Sequence, residues 1–119
     1  MEWVIDKNRP ICPQICEQVC LEIAKETFGA HQKLPSVREL ALAIGVNPNT
    51  VQRSLDELER DGVLYSVRGS GWYVAEDVSV AKAILRDMLE QKTVDYFEAM
   101  RVLGLDADAV KQYVKEWTV

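Results

Sequence analysis

The chain has 119 residues, with 14 basic side chains against 19 acidic ones, three cysteines and a single histidine. That length allows one domain, or a small domain with an appendage, and leaves no room for a large enclosed active-site cavity. At 48% apolar and 28% charged residues the composition is globular rather than disordered, and no apolar run approaches the roughly 20 residues of a membrane span.

An odd number of cysteines fits reduced thiols better than a disulfide framework. The start, Met1 to Asp6, lacks the basic and apolar blocks of a secretory signal. A cytoplasmic setting without membrane attachment is therefore expected. The formal charge of −5 argues against nucleic acid only on average. Between residues 30 and 75, Lys33, Arg38, Arg53 and Arg68 lie apart from the acids, most of which fall within Asp56–Asp61. Phosphate contacts depend on such local patches rather than on net charge.

In chain order, a first helix is expected from Pro13, a residue suited to a helix start, through Ile15, Val19 and Ile23 to a stop at Gly29. Ser36 and Glu39 have capping-box spacing, which opens a second helix with Leu40, Ala41 and Ile44 on its apolar face and Gly45 at its end. Asn47 and Pro48 open a third, in which Val51, Leu55 and Leu58 form one buried stripe and Gly62 is the stop. Two short helices joined by a tight glycine-bearing turn predict a helix-turn-helix. Val63–Val67 and Trp72–Val74 then read as two short strands around the loop Arg68-Gly69-Ser70-Gly71, a small wing.

The tail changes character. Three short amphipathic helices are expected: one around Ala81, Ile84, Leu85 and Met88, one capped by Thr93 and bearing Tyr96, Phe97, Met100 and Leu103, and one after Gly104 capped by Asp106. Val110, Tyr113, Val114 and Trp117 would line the last, with Leu105 and Val110 as a hydrophobic staple. About forty residues cannot bury that much apolar surface alone, so the tail needs the winged domain or a second copy. The fold class is thus mainly α with a small two-stranded wing: a winged helix-turn-helix over 1–76 and a short α-helical dimerisation region over 77–119.

The ordered set Leu34-Pro35-Ser36-Val37-Arg38-Glu39-Leu40-Ala41, Gly45-Val46-Asn47-Pro48-Asn49-Thr50-Val51, Leu55 to Leu64 and Gly69-Ser70-Gly71-Trp72-Tyr73-Val74 resembles the DNA-binding domain of the GntR family of bacterial transcription regulators. The resemblance covers roughly residues 10–76, and Asn-Pro-Asn-Thr-Val with a short helical tail is similar to the YtrA-type branch. It implies a DNA-binding regulator, most often a repressor, of operons that in this branch often encode membrane transporters. It also implies that Ser36 touches a phosphate, that Arg38 reaches a base or phosphate, and that Arg68 and Gly69 border the minor groove. The residue types agree. Asn47, Asn49, Thr50, Gln52 and Arg53 crowd the amino end of the third helix, where Asn and Gln can read adenine and Arg guanine.

Double-stranded DNA and a second copy of the chain are the expected partners. Ile84, Leu85, Met88, Leu89, Tyr96, Phe97 and Met100 are the expected dimer contacts, and a small-molecule effector is left open. Ser36, Glu39 and Asn47 also have purely structural readings as caps. Cys12, Cys16 and Cys20 share one helical side, which invites a thiol or metal reading, but that side overlaps the apolar face and cysteine is commonly buried. No cofactor, metal or catalytic group is expected, since there is no phosphate loop and no paired-carboxylate pocket. A protein-interaction winged module and a thiol- or metal-responsive regulator stand as alternatives.

Overall fold

The structure is a computed structural model describing residues 3–118. Met1, Glu2 and Val119, which fall within the expected ranges 1–76 and 77–119, lie outside the described residues. The elements are α1 (Ile11–Ala24), α2 (Val37–Ile44), α3 (Pro48–Arg60), β1 (Leu64–Val67), β2 (Gly71–Val74), α4 (Ser79–Val102) and α5 (Ala107–Glu116). They divide into two compact units, Met1–Leu85 and Arg86–Val119.

The first unit is a winged helix-turn-helix. Ile15, Val19 and Ile23 of α1, Leu40 and Ile44 of α2, and Val51, Leu55 and Leu58 of α3 form one core with Val63, Leu64, Trp72 and Val74 from the wing. β1 and β2 pair antiparallel, with Leu64 opposite Val74 and Tyr65 opposite Tyr73. This register turns Leu64, Trp72 and Val74 inward and leaves Tyr65 and Tyr73 half-buried on the outer face. A third segment runs along β2. His31 N–H donates to Val74 O at 2.8 Å, Val74 N–H to Gln32 O at 3.0 Å, and Leu34 N–H to Trp72 O at 2.9 Å. Ala81, beyond residue 76, also sits in this core at 1% exposure.

Two expectations for α1 are corrected. It starts at Ile11, with Pro10 as N-cap, so Pro13 lies within the first turn rather than opening it. The first four N–H groups of a helix have no internal partner, so proline fits anywhere in that turn. The helix ends at Ala24, not near Gly29. Glu26 adopts φ 65°, and Thr27 and Phe28 N–H both turn back to Glu22 O, which swings Phe28 into the core. A glutamate fills the left-handed position usually given to glycine.

Ahead of α1, the nearly buried Gln14 gathers the chain. Its Oε1 accepts from Asp6 N–H at 2.7 Å, and its Nε2 donates to Asp6 O at 2.8 Å and Pro10 O at 3.0 Å. Trp3 and Ile5 are thereby held against the core.

The expected tail of three helices is also corrected, because α4 is one continuous helix of 24 residues. Neither glycine nor proline occurs between Ser79 and Val102. Thr93, expected to be a cap, lies inside the helix and donates its Oγ1 hydrogen to Leu89 O at 2.8 Å. Gly104, at φ 97°, makes the turn that follows, and Asp106 caps α5 by accepting from Ala109 N–H at 2.9 Å. Among the described residues of the second unit, Val110 alone is buried.

Candidate nucleic-acid interface

The recognition element is built from α2 and α3. At α2, Ser36 Oγ accepts from Glu39 N–H, and Glu39 Oε1 accepts from Ser36 N–H, both at 3.1 Å. The reciprocal bonds from Ser36 hold the Glu39 carboxyl below its ordinary pKa, the backbone N–H being the larger cause. The Ser36 hydroxyl beside the same carboxylate is the second cause, so its proton is drawn toward Glu39 and would have to turn to meet another acceptor. Gly45, at φ 82°, ends α2 in the left-handed conformation and turns the chain toward α3.

At α3, Asn47 Oδ1 accepts from Asn49 N–H at 2.8 Å. The cap role expected for Asn47 is thus occupied at its oxygen, while its amide hydrogens stay available. Val51, Ser54, Leu55 and Leu58 face inward, and Asn49, Gln52 and Arg53 are exposed on the opposite side, with Thr50 half-buried. Gln52 Nε2 donates one hydrogen to Asp56 Oδ1 at 3.0 Å, which leaves its second hydrogen and its Oε1 for other partners. Arg38, Arg53 and Arg68 are exposed, and none belongs to an ion pair among the described residues.

The wing is tied to α3 by an acid. Glu59 Oε2 accepts from both the N–H and the hydroxyl of Ser66, at 3.1 and 2.9 Å. On the outer face of the wing, His31 Nδ1 lies 3.0 Å from Tyr65 OH, Tyr65 stacks on Tyr73 with centroids 5.5 Å apart, and Tyr73 OH meets Ser70 Oγ. This string of side chains runs from the segment before α2 to the loop that carries Arg68 and Gly69. Gly69 has φ 78°, a value that L side chains rarely adopt.

The cysteines have a structural role that sequence spacing did not disclose. Cys12, which precedes the expected helix start at Pro13, lies in the first turn of α1 and donates to Thr50 O at 3.6 Å. One turn on, Cys16 donates to Ser54 O at 3.5 Å. Both bonds join residues 38 apart, so α1 and α3 run side by side in the same direction. Burial pushes the Cys16 and Cys20 thiols up to about 12, with Glu57 and Asp61 respectively adding the next largest push. Both are therefore protonated and poor nucleophiles at neutral pH. No group of three His, Cys, Asp or Glu able to hold a metal ion occurs among the described residues.

Of the expected tail contacts, Ile84 packs partly against the core of the winged unit. Leu85, Met88, Phe97 and Met100 are half-buried, and Leu89 and Tyr96 are exposed. Lys33 was counted in the charge pattern but not expected as a contact. The structure brings it beside Ser36 and the wing turn.

This geometry coincides with a known pattern. The profile described as "Bacterial regulatory proteins, gntR family" matches residues 13–74, from the first turn of α1 to the last residue of β2. The chain belongs to the GntR family. It is a DNA-binding transcription regulator of that family and not an enzyme. Similarity extends through the tail. The HTH-type transcriptional regulator YhcF of Bacillus subtilis is 34% identical over 119 residues, spanning 99% of this chain and 98% of that protein. The HTH-type transcriptional repressor YtrA of the same organism is 34% identical over 114 residues, 92% of this chain and 85% of the repressor.

Among solved structures, a GntR family transcriptional regulator from Listeria monocytogenes superposes with a TM-score of 0.83 at 37% identity, covering 96% of this chain and all of that one. The DNA-binding domain of AraR, solved in complex with operator ORX1, superposes with a TM-score of 0.54 at 28% identity over 63% of this GntR-family chain and 92% of AraR's. No helix among the described residues is long and apolar enough to cross a membrane.

Proposed function

We propose that this GntR-family chain is a homodimeric, sequence-specific repressor that acts in the cytoplasm on a palindromic operator. The observation that carries the reading is the amino-terminal half of α3. Asn49, Gln52 and Arg53 stand exposed on one side of a helix whose other side is locked into the core. A recognition helix entering the major groove presents such residues to base edges. Asn49 and Gln52 are suited to adenine, and Arg53 to guanine N7 and O6. Asn47 and Thr50 border the same end, Ser36 and Arg38 start the helix that crosses the backbone, and Arg68 and Gly69 form the wing tip at the minor groove. The AraR–operator complex supports the mode, since the domain that superposes on this chain is there in complex with an operator.

Dimerisation through the tail is supported by its surface. Leu89, Tyr96, Tyr113, Val114 and Trp117 are each 41–59% exposed, and Leu103 is 75% exposed. Grooves of about 590 and 780 Å³ run along this face, the larger lined by Tyr96, Met100, Leu105 and Trp117. An exposed apolar face on each copy suits a two-fold contact, which would double the base contacts, with half-sites about one helical turn, roughly 10 bp, apart. The YtrA repressor supports repression as the outcome, and the YtrA-type resemblance alone points to transporter operons as targets.

Selection of bound duplexes from a random pool tests this directly. The expected product is a palindrome with half-sites near that spacing. Recovery of no enriched sequence, together with no shift of random duplex at low salt, would overturn the reading and favour a protein-docking role for the winged unit.

A further inference from the structure

We propose that Lys33, together with the hydroxyls of Ser36 and Ser70, forms a seat for one phosphodiester of the DNA backbone between the start of α2 and the wing. The proposal rests on the DNA-binding reading and adds a contact to it. Lys33, Ser36, Glu39, Ser70 and Gly71 line one cavity of about 500 Å³. Three features place the lysine there.

Its backbone is fixed first. Lys33 bridges Tyr73 antiparallel, between the bonds from Val74 N–H to Gln32 O and from Leu34 N–H to Trp72 O. Its stem is fixed next. A Cβ built on Gly71 would lie 3.3 Å from Lys33 Cε, so the lysine chain crosses the glycine at close contact. Gly71 also has φ 139°, so both its backbone conformation and the passing lysine favour glycine there. The ammonium, finally, is uncommitted. Lys33 is exposed and belongs to no ion pair among the described residues. The carboxylate that feels its charge, Glu39, spends Oε1 on Ser36 N–H.

The chemistry fits a phosphodiester. The group carries one negative charge on two outward oxygens, which one ammonium and two hydroxyls can meet. Ser36 Oγ accepts from Glu39 N–H and can turn its proton from the Glu39 carboxylate to the phosphate, and Ser70 Oγ can donate to it when Tyr73 OH is the donor of their shared bond. An exposed single cation holds a free anion weakly in water. The same contact counts when α3 has already docked and the duplex brings its backbone to the seat. Ser36 and Ser70 belong to the two elements that would straddle that backbone, so the duplex is the source of the phosphate.

The test uses the full chain and fluorescence anisotropy with a selected duplex and an unrelated one, between roughly 50 and 300 mM salt. Lys33→Ala is expected to weaken both duplexes alike, about two- to fivefold for each seat, the range of an exposed charge contact. The slope of log K against log salt should fall by about 1 for each phosphate lost. Lys33→Arg should restore most of the affinity, and Gly71→Ala, which pushes the lysine stem aside, should mimic Lys33→Ala. Inorganic phosphate at constant ionic strength should compete equally with wild type and Lys33→Ala. Equal affinity and slope for wild type and Lys33→Ala would overturn the seat alone, as would saturation of it by inorganic phosphate with duplex binding unchanged. A wild-type chain that binds no duplex would overturn the DNA reading and the seat together.

Discussion

Leu89→Asp separates the tail's proposed role from every other part of the chain. Leu89 is 59% exposed on α4 and makes no part of the winged core. Complete burial of a leucine contributes about 1.5–3 kcal/mol, so covering the exposed fraction contributes roughly 0.9–1.8 kcal/mol per copy. A two-fold interface contains the residue twice, which raises the stake to roughly 1.8–3.5 kcal/mol, or about 20- to 300-fold in the dimer dissociation constant. An aspartate at each position adds two carboxylates to an apolar contact, so the true loss should meet or exceed that range. Sedimentation equilibrium reads the association directly, and circular dichroism should report an unchanged winged unit. Affinity for a palindromic duplex should fall with the dimer, while affinity for a single half-site should not. A variant that stays dimeric within twofold of wild type would refute the placement of the interface on this face.

Three further outcomes follow from the interface and the core. Arg53→Ala should cost about 1–3 kcal/mol of duplex affinity, confined to one base position in a substitution series, since a bidentate contact reads one pair; a uniform loss across positions would mean a phosphate contact instead. Ser36→Ala should lower stability in urea by about 0.5–2 kcal/mol through loss of the α2 cap, and should also weaken duplex binding. Stability should fall as pH rises above about 9, because the unfolded thiols of Cys16 and Cys20 ionise near 9 while the folded ones hold their protons to about 12. Cys20→Ala should flatten that decline in a urea series from pH 8 to 11, and an unchanged slope would deny the burial argument for this thiol.

The signals readable from the chain were local ones. The Ser36–Glu39 box, the Asn47-Pro48 opening and the glycines at 45 and 62 act within a few residues, and each stands where the sequence placed it. The strand limits moved by one residue at most, since alternation and loop residues define a hairpin. The tail misled because Thr93 is a good cap and also tolerable inside a helix, and only packing or the lack of a breaker decides between the two. Lys33 escaped because its position depends on pairing with Tyr73, forty residues away. The thiol bonds from Cys12 and Cys16 to α3 escaped for the same reason. Which side of α3 stays exposed was legible; what braces it from behind was not.

The last two turns of α3 hold Asp56, Glu57 and Glu59, with Asp61 as the C-cap, and the first turns hold none of the helix's acids. Such a rod has a direction. Its amino end offers a polyanion exposed side-chain amides and an arginine, while its carboxyl end offers four acids against the single Arg60. Lying flat along a groove, or entering tail first, would press those carboxylates toward phosphates. Under the proposed docking, misaligned encounters would be penalised by those carboxylates. In the proposed docking, that repulsion would act before any base is touched, so wrong orientations would be shed quickly.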